Sequence, residues 1–510
     1  MKPAGKSTGK GRAIMVQGTG SGVGKSLLTA ALCRILHQDG FRVAPFKAQN
    51  MSLNSFVTPE GGEMGRAQVV QAQAAGVEPH VRMNPVLIKP EQDARSQVVV
   101  LGRPWKTLNA GDYYQHTPGL WDMVARSLDS LLSSYDVVVI EGAGSPAEIN
   151  LRRFEIVNMR VAAHARAPVL LVGDIDKGGV FASLFGTLKL LEPRERRRVR
   201  GLIINKFRGD VSILQPGLEM LEGLTRRPVL GVVPYLHDII IHEEDSIHPI
   251  SGQGEVDIAV IYLPRISNST DFEPLQQEAG VRLRYVRRAS ELGTPDLIIL
   301  PGTKSTVADL LHLRESGLAA SITRAGRRGT PVLGVCGGFQ MLGRNLSDPQ
   351  GVEWQGGDCP GLGLLPVETV FEPDKATHQA TAEIAAPRGF WGRLRGLAVE
   401  GYEIHMGRTQ GETPPALQVR RLGQAHPHPD GAVDPRGRVM GTYLHGIFDQ
   451  PGFRQALIVE LRRRKGLPSQ PPSDIPTAEE NYQRLAAAVR ESLDMRLLYE
   501  VCGLKSRPKA

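Results

Sequence analysis

The sequence predicts an α/β protein made of two successive parallel-sheet domains. Short apolar runs alternate with longer periodic stretches, and this pattern occurs in both halves of the 510-residue chain. Such runs, flanked by Gly and Pro, are typical of buried parallel strands joined by crossover helices. A Gly-rich segment ending in Gly-Lys-Ser follows the first run, and a cysteine in the segment Gly-Val-Cys-Gly-Gly follows a run in the second half. Ligands of open α/β sheets bind at the carboxyl ends of the strands, so both segments stand where a site is expected.

The predicted strands are apolar segments with Gly, Pro or a charged residue close to their ends. In the first half they are Ala13–Val16, Phe41–Pro45, Val137–Ile140, Val169–Val172, Leu202–Ile204 and Val229–Val233, and in the second half Ile258–Leu263, Leu297–Leu300 and Val332–Val335. The stretch Leu27–Gln38 has the periodicity of a helix. The segment Thr409–Arg438 is rich in Pro, Gly and charge, and we expect a surface loop there.

The domain boundaries follow from length and local composition. At roughly 150 residues per domain, the chain is long enough for about three units. The segment Ile241–Val256 is rich in charge, Gly and Pro, which favours a linker between the halves. We expect a flexible basic N-terminus at residues 1–12, a nucleotide-binding domain at 13–240, a linker at 241–256, a second α/β domain at 257–450 and a helical extension at 451–510.

Composition narrows the class of protein. Lys and Arg total 61 against 53 Asp and Glu, a mild net charge of +8 that suits small anionic substrates. Aromatic residues, at 5%, are sparse for a surface that stacks nucleic-acid bases. The cysteines Cys33, Cys336, Cys359 and Cys502 form no CxxC pair, which disfavours a disulfide framework or structural zinc.

With no signal peptide and no apolar run near the roughly 20 residues of a membrane helix, we expect a cytoplasmic protein without nucleic-acid or membrane partners. Its oligomeric state stays open.

A variant phosphate-binding loop follows the first predicted strand and reads GTGSGVGKS. Glycines such as Gly22 and Gly24 let successive backbone N–H groups turn towards a phosphate, and the helix N-terminus adds positive potential. Lys25 would reach the terminal phosphates of a nucleotide, and Ser26 would hold Mg²⁺. The strict spacing GxxxxGK[ST] requires Gly at a position where this chain has Thr19.

Polar residues also follow the other predicted strands of the first half. Glu141 comes directly after one strand and is placed to act on Mg²⁺, while Asp174 and Asp176 follow the next. Asn205 could contact a nucleotide base, and Lys47, in FKAQNMSLNS, would bind the nucleotide. Because the carboxyl ends of parallel strands share one edge of a sheet, we expect these side chains near the phosphate loop.

The second half has its clearest chemical signal at Cys336, within VLGVCGGFQML. A strand ends there and a helix begins at once, and the glycines permit the sharp turn of a nucleophile elbow. A thiol at a helix N-terminus is a strengthened nucleophile. The N–H of Gly337 would be one oxyanion donor, and the loop at Gly302 would supply a second. His445, in GTYLHGIFD, is the expected base, and His405, in YEIHMG, is its competitor.

A series of motifs in one order closely resembles the cobyric acid synthase family, the glutamine-hydrolysing amidotransferases of cobalamin biosynthesis. The resemblance covers about Ile14 to Asp449, and its motifs are GTGSGVGKS, FKAQNMSLNS, EGAGSPAEINL, GDIDKGGVFAS, LPGTKST, GVCGGFQMLG, YEIHMG and GTYLHGIFD. It implies an N-terminal P-loop domain similar to dethiobiotin synthetase and a C-terminal domain similar to class I glutamine amidotransferases.

The resemblance also implies an activity: amidation of the b, d, e and g carboxylates of adenosylcobyrinic acid a,c-diamide, with ATP, Mg²⁺ and glutamine. Cys336 would attack glutamine and release ammonia, and His445 would shuttle protons. In the amidoligase domain the substrate carboxylate would take the γ-phosphoryl group of ATP, and ammonia would displace the resulting phosphate. Lys25, Ser26 with Mg²⁺, and Glu141 would stabilise the transferring charge.

One position departs from the wider amidotransferase class. Many class I members carry Glu two residues after the catalytic His, where it orients the imidazole. This chain has Ile447 there, and the cobyric acid branch resembles it in this respect. We therefore expect a Cys–His dyad whose orienting group the sequence does not identify, with room for weak uncoupled glutaminase activity.

Two other functions remain open. The related amidotransferase that converts cobyrinic acid to its a,c-diamide would share the mechanism and differ in the carboxylates used, and FKAQNMSLNS and the domain order favour the cobyric acid family over it. The second open function is a P-loop ATPase that acts as a nucleotide-dependent switch and whose C-terminal half has only a structural role. The elbow cysteine with its expected neighbours, and the lack of a lysine at position 20, disfavour it.

Overall fold

The computed structural model describes residues 11–92, 95–237, 239, 254–354, 357–471, 473 and 475–505. The N-terminus expected to be flexible lies outside the described residues up to residue 10, and the expected linker lies outside them up to residue 253. Two α/β halves, each with a parallel sheet, make up the described chain, as the fold class predicted from the sequence requires.

Six parallel strands form the central sheet of the N-terminal half. Across the sheet they are Val229–Pro234, Val199–Phe207, Val169–Asp174, Arg12–Gly18, Val137–Glu141 and Val43–Phe46. Each contains or overlaps an apolar run identified in the sequence. Because the first strand of the chain lies inside the sheet, the loop that follows it emerges between the ends of two neighbouring strands, which bring Glu141 and Asp174 to either side of that loop.

Helices cover both faces of this sheet. They are Lys25–Gln38, Arg66–Ala74, Ala110–Ser134, Met159–His164, Val180–Leu190, Pro193–Arg196 and Val211–Thr225. Successive residues of the first strand alternate between two apolar cores: Ala13 and Met15 belong to one, and Ile14 and Val16 to the other. This two-sided burial explains the continuous apolar runs in the sequence.

Two small sheets lie between the second strand of the chain and the long helix Ala110–Ser134. The first has the order Gln49–Met51, Val86–Gln92, Arg95–Val100 and Arg103–Asn109, and the second is the hairpin Ser55–Val57 with Glu63–Gly65. Short 3₁₀ turns occur at Val81–Met83 and Arg152–Phe154. The motif FKAQNMSLNS therefore runs from the main sheet into these additions.

The C-terminal half has a second six-stranded sheet. Its order is Val281–Val286, Val256–Ile261, Leu297–Leu300, Val332–Val335, Val439–Thr442 and Ala432–Val433, with only the last pair antiparallel. Its helices are Glu273–Gln276, Ala289–Leu292, Thr306–Glu315, Leu318–Arg328, Gly337–Leu342 and Gly389–Gly392, with a 3₁₀ turn at Ser269–Phe272. The nucleophile strand Val332–Val335 is interior, so the elbow after it is enclosed by neighbouring strand ends.

A third sheet contains the longest strands of the protein. Its main path runs Asp358–Pro360, Asn345–Ser347, Glu368–Ile384, Ala398–Gln410 and Leu444–His445, and Leu417–Arg421 and His428–Asp430 extend it from Glu368–Ile384. The surface loop expected at Thr409–Arg438 is therefore wrong in part, because three short strands lie within it. Buried and exposed residues alternate along Leu417–Arg421, whereas both residues of Ala432–Val433 are buried, and Pro and Gly nearby obscure these strands in the sequence.

The C-terminal segment divides between the two halves. Helix Pro451–Arg464 buries Phe453 and Leu457 in the core of the C-terminal half. The helices Ala478–Ser492 and Met495–Val501 instead bury Leu485 and Leu498 in one core of the N-terminal half. The segment thus fastens one half to the other. Among the described residues, every helix is too short or too polar to cross a membrane.

Candidate active sites

The phosphate loop turns directly from the first strand into the first helix. Gly22 and Gly24 have φ values of 70° and 93°, in the left-handed region that favours glycine. The Lys25 ammonium donates to the carbonyl oxygens of Gly20, at 2.8 Å, and Gly144, at 3.1 Å. The lysine therefore lies across the concave side of the loop, between it and the loop that follows Glu141.

Glu141 is the centre of a buried polar cluster at the end of its strand. One carboxylate oxygen accepts hydrogen bonds from the Ser26 hydroxyl at 2.8 Å and the Lys47 ammonium at 2.9 Å, and the other accepts from Gln71 at 2.5 Å. Burial opposes ionisation, yet Lys47 outweighs it and keeps the pKa of Glu141 below its ordinary value. The cluster brings together two oxygen groups, from Ser26 and Glu141, that suit a magnesium ion.

Asn205 is hydrogen-bonded to the phosphate loop. Its side-chain amide donates to the Val23 carbonyl at 2.9 Å, and a Cβ at Gly24 would come within 2.1 Å of that amide nitrogen. Lys206 lies 3.3 Å from Asp174, and Asp176 pairs with an arginine at 2.8 Å. Lys206 also donates to the Gly22 carbonyl oxygen at 2.6 Å, so Asn205 and Lys206 both support the loop, and a contact of Asn205 with a nucleotide stays a prediction.

A cavity of about 800 Å³ opens over the phosphate loop. Its wall includes Gly22, Gly24, Lys25, Ser26, Lys47 and Glu141. On the other sides it is lined by Tyr113, Tyr114 and Phe154 from the N-terminal half, and by Tyr262 and Ser269 from the C-terminal half. The cavity therefore extends from the phosphate loop to the junction between the two halves.

Cys336 lies at a strained turn between a strand and a helix. Its φ of 51° and ψ of −112° are rarely adopted by a residue with a side chain. A Cβ at Gly338 would lie 2.1 Å from the Leu300 carbonyl oxygen, so only glycine fits beneath the turn. The thiol is almost fully buried and lies 3.5 Å from the Ile404 carbonyl oxygen. This is the geometry of a nucleophile elbow.

His445 pairs with a carboxylate that the sequence analysis did not identify. Its Nδ1 atom lies 2.6 Å from Oδ2 of Asp271, whose other oxygen accepts from the Gly446 N–H at 3.2 Å. Burial favours the neutral imidazole, but the Asp271 carboxylate outweighs it, with a smaller effect from Cys336, and raises the pKa of His445 to about 10. Among the described residues, Nε2 has no hydrogen-bond partner of its own.

Asp271 stands where the orienting group that the sequence left unidentified is needed, beside His445 of the expected Cys–His dyad. Position 447, where the wider class has Glu, holds a fully buried Ile447, and the carboxylate comes from the 3₁₀ turn Ser269–Phe272 instead. That turn follows a strand of the same sheet as the elbow. The sequence does show Asp271 as an acidic residue after a parallel strand, which is one signal of a site residue. No nearby sequence pattern, however, pairs Asp271 with His445. His445 lies against Asp271 and is influenced by Cys336, so the three side chains are grouped in the order of a Cys–His–Asp triad.

His405, the competing base, has different neighbours. Its ring stacks on Tyr443 with centroids 3.6 Å apart, and its Nδ1 lies 3.2 Å from the Gly407 carbonyl oxygen. Burial lowers its pKa to about 4. Among the described residues His405 has no hydrogen bond to a carboxylate, so its neighbours favour a packing role over that of the base.

The two glycines expected to form an oxyanion hole lie close to the triad. A Cβ at Gly302 would be 2.9 Å from Cε1 of His445, and a Cβ at Gly337 would be 2.8 Å from Cγ2 of Thr303. Within the described part of the chain, neither glycine donates its backbone N–H to a carbonyl. The N–H of Gly337 is also the first of a helix, which has no intrahelical acceptor.

Comparisons with known proteins assign both halves. Residues 14–250 match the CobQ/CobB/MinD/ParA nucleotide binding domain family, and residues 257–453 match the CobB/CobQ-like glutamine amidotransferase domain family. A cobyric acid synthase from Dehalococcoides mccartyi (strain CBDB1) is 52% identical over 496 residues, covering 96% of this chain and 98% of that protein. One from Sorangium cellulosum (strain So ce56) is 54% identical over 515 residues, covering 97% of this chain and 99% of that protein.

The nucleotide-binding match contains the phosphate loop, and the amidotransferase match contains the nucleophile elbow. The chain also aligns with nearly the full length of both relatives. A glutamine amidotransferase domain joined to a nucleotide-binding domain describes a glutamine-dependent, amide-forming ligase. The chain belongs to the cobyric acid synthase family.

Proposed function

We propose that this chain amidates the b, d, e and g carboxylates of adenosylcobyrinic acid a,c-diamide, using ATP and glutamine, to give adenosylcobyric acid. The observation that carries the proposal is the position of the cavity. It runs from Lys25 in the phosphate loop to Ser269, only two residues from Asp271 of the triad. A carboxylate activated at the phosphate loop would therefore share one cavity with the wall that adjoins the source of ammonia.

The glutaminase half-reaction uses the Cys336–His445–Asp271 triad. With a pKa of about 10, His445 is an imidazolium at neutral pH, and its charge stabilises the Cys336 thiolate. The thiolate attacks the side-chain amide carbon of glutamine, and the N–H groups of Gly302 and Gly337 stabilise the oxyanion. His445 gives its proton to the departing ammonia, and water then hydrolyses the thioester to glutamate. Asp271 keeps the ring oriented throughout.

The ligase half-reaction takes place over the phosphate loop. Gly22 and Gly24 direct backbone N–H groups at the phosphates of ATP, and Lys25 neutralises charge on the transferring group. A corrinoid carboxylate oxygen attacks the γ-phosphorus, ADP leaves, and an acyl phosphate forms. Ammonia then attacks the carbonyl carbon, phosphate leaves, and loss of a proton gives the amide. Asn205 holds the loop in shape for this step.

A magnesium ion fits the polar cluster at Glu141. The Ser26 hydroxyl and the Glu141 carboxylate lie 2.8 Å apart at the mouth of the loop, and one carboxylate, a hydroxyl and substrate phosphates are a usual ligand set for Mg²⁺. When bound, the ion supplies positive charge that neutralises the β- and γ-phosphates. Lys47, on the same carboxylate oxygen at 2.9 Å, adds a second cation facing the cavity.

Substrate choice distinguishes this proposal from the related amidotransferase. The experiment offers the purified chain two corrinoids in separate reactions, adenosylcobyrinic acid a,c-diamide and cobyrinic acid, each with glutamine, ATP and Mg²⁺. Mass spectrometry follows the number of acids converted to amides. We expect stepwise conversion of four acids of the a,c-diamide. Conversion of cobyrinic acid to its a,c-diamide and no further would overturn the proposal in favour of the related enzyme, and ATP hydrolysis without any amide would favour a switch ATPase.

A further inference from the structure

A buried residue, Asn268, connects the glutaminase centre to the N-terminal half. It lies directly before the 3₁₀ turn that carries Asp271, is almost fully buried, and has a φ of 53°. Its side-chain oxygen accepts a hydrogen bond from the Ser55 backbone N–H at 2.8 Å. Its side-chain nitrogen lies 3.4 Å from Nδ1 of His445. One amide thus contacts the glutaminase base on one side and the other half of the protein on the opposite side.

Ser55 is also bonded to a second residue of the His445 environment. Its carbonyl oxygen accepts from the Tyr402 hydroxyl at 3.0 Å, and the Tyr402 ring stacks on the His445 ring with centroids 5.4 Å apart and planes 15° from parallel. The Ser55 hydroxyl accepts from the buried Lys89 ammonium at 3.0 Å. Ser55 is therefore held at all three polar groups, and two of the three partners contact the imidazole.

The segment that holds Asn268 also forms part of the cavity wall. Leu53 and Asn54 line the cavity beside Ser269. The Leu53 carbonyl oxygen accepts from the Asn268 N–H at 3.4 Å, and the Ser269 hydroxyl lies 3.4 Å from the Asn54 side-chain oxygen. A ligand that shifts this wall would shift the group that packs against His445.

We infer that Asn268 is a positioning residue for His445 and that residues 53–55 of the N-terminal half hold it in place, so that the glutaminase centre is completed across the junction of the two halves. The inference rests on the proposed function and assigns a role within it. Asn268 touches no reacting atom. It acts by packing its amide against the imidazole, whose Nδ1 atom is bonded to Asp271, and it gives the cavity a physical connection to the glutaminase base.

The test replaces Asn268 with glycine in the full-length chain. Glycine tolerates the positive φ, so Asn268→Gly removes the amide without straining the backbone. Loss of the amide leaves the buried Ser55 N–H without its acceptor and frees the imidazole. We expect glutaminase kcat, measured as glutamate release, to fall about tenfold, with unchanged KM for glutamine and unchanged amidation from ammonium salts.

Two further variants separate positioning from general damage to the junction. Asn268→Asp keeps an oxygen that can accept from Ser55, and we expect it to retain more glutaminase activity than Asn268→Gly. Thr377→Val removes another hydrogen bond between the halves, from the Thr377 hydroxyl to the Gly61 carbonyl oxygen at 2.8 Å, at a side chain with no contact to His445 among the described residues. We expect it to behave as the wild type.

The inference is overturned if Asn268→Gly keeps the wild-type kcat, or if Thr377→Val loses as much activity as Asn268→Gly. It is also overturned if ammonia-dependent amidation falls in parallel, because that would indicate a disturbed fold. A wild-type protein that releases glutamate but amidates no corrinoid from either nitrogen source would overturn the proposed function alone. In that case the glutaminase kcat of the variants still decides the role of Asn268.

Discussion

At the scale of single residues, Asp271 is the group that raises the pKa of His445 most. It is buried, lies 2.6 Å from His445, and opposes the desolvation that would otherwise keep the imidazole neutral. Asp271→Asn keeps the shape of the side chain and removes the charge. We expect glutaminase kcat to fall on the order of 10²- to 10⁴-fold, with ammonia-dependent amidation unchanged. A variant with wild-type glutamate release would show that Asp271 does not orient the base.

The same variant should change the pH dependence of stability. Because the folded-state pKa of His445 is raised from 6.5 to about 10, its pairing with Asp271 stabilises the fold fully below about pH 6.5 and loses that effect as the pH rises through about 10. The difference in unfolding free energy between wild type and Asp271→Asn should therefore shrink between neutral pH and pH 10. Denaturant titrations at several pH values measure it, and a difference that grows with pH would contradict the assignment.

Some residues of the two sites can be identified from the sequence, and others only from the folded structure. The phosphate loop and the elbow are short segments whose glycines, lysine and cysteine lie within a few positions of each other, so their local geometry can be predicted. Asp271 lies 174 residues before His445, and only the folded sheet brings the two together. Asn205 shows a second limit, because its strand-end position is evident in the sequence but its contact with the back of the loop is not.

At the scale of elements, the strand that ends at Glu141 positions a buried ion pair with Lys47, whose side chains are 0% and 4% exposed. Glu141→Gln would leave the Lys47 ammonium without its carboxylate, and we expect a loss of about 3 kcal/mol in unfolding free energy together with loss of ATP-dependent amidation. The double variant Lys47→Met/Glu141→Gln removes both charges and should recover most of the stability without the activity. Equal stability of the wild type and Glu141→Gln would contradict this reading of the cluster.

The sequence predicts strands whose two faces are both buried. It does not reveal strands that bury only one face. The parallel strands of both main sheets read as apolar runs because helices cover both sides. The long antiparallel pair Glu368–Ile384 and Ala398–Gln410 mixes buried and exposed positions and carries many polar residues. Its pairing depends on contacts far apart in the chain, so the sequence alone does not specify it. This pair matters to function, since it contributes Tyr402 and Ile404 to the glutaminase centre.

At the scale of the whole molecule, the two halves share more than a covalent connection. Helix Ala478–Ser492 comes after the glutaminase half in the chain but buries Tyr482 and Leu485 against the nucleotide-binding half. At the junction itself, Lys89 and Lys375, one from each half, both pair with the buried Glu63. These contacts join the two halves on either side of the cavity over the phosphate loop, as the proposed passage of ammonia between the sites would require.

The most direct test of this account compares two nitrogen sources in one variant. Cys336→Ala removes the nucleophile and leaves the phosphate loop untouched. Incubated with ATP, Mg²⁺ and adenosylcobyrinic acid a,c-diamide, the variant should form no amide from glutamine and should form all four from ammonium salts, as mass spectrometry of the corrinoid would show. Glutamine-dependent amidation that survives the substitution, or amidation lost with both nitrogen sources in a folded protein, would contradict a reaction divided between these two sites.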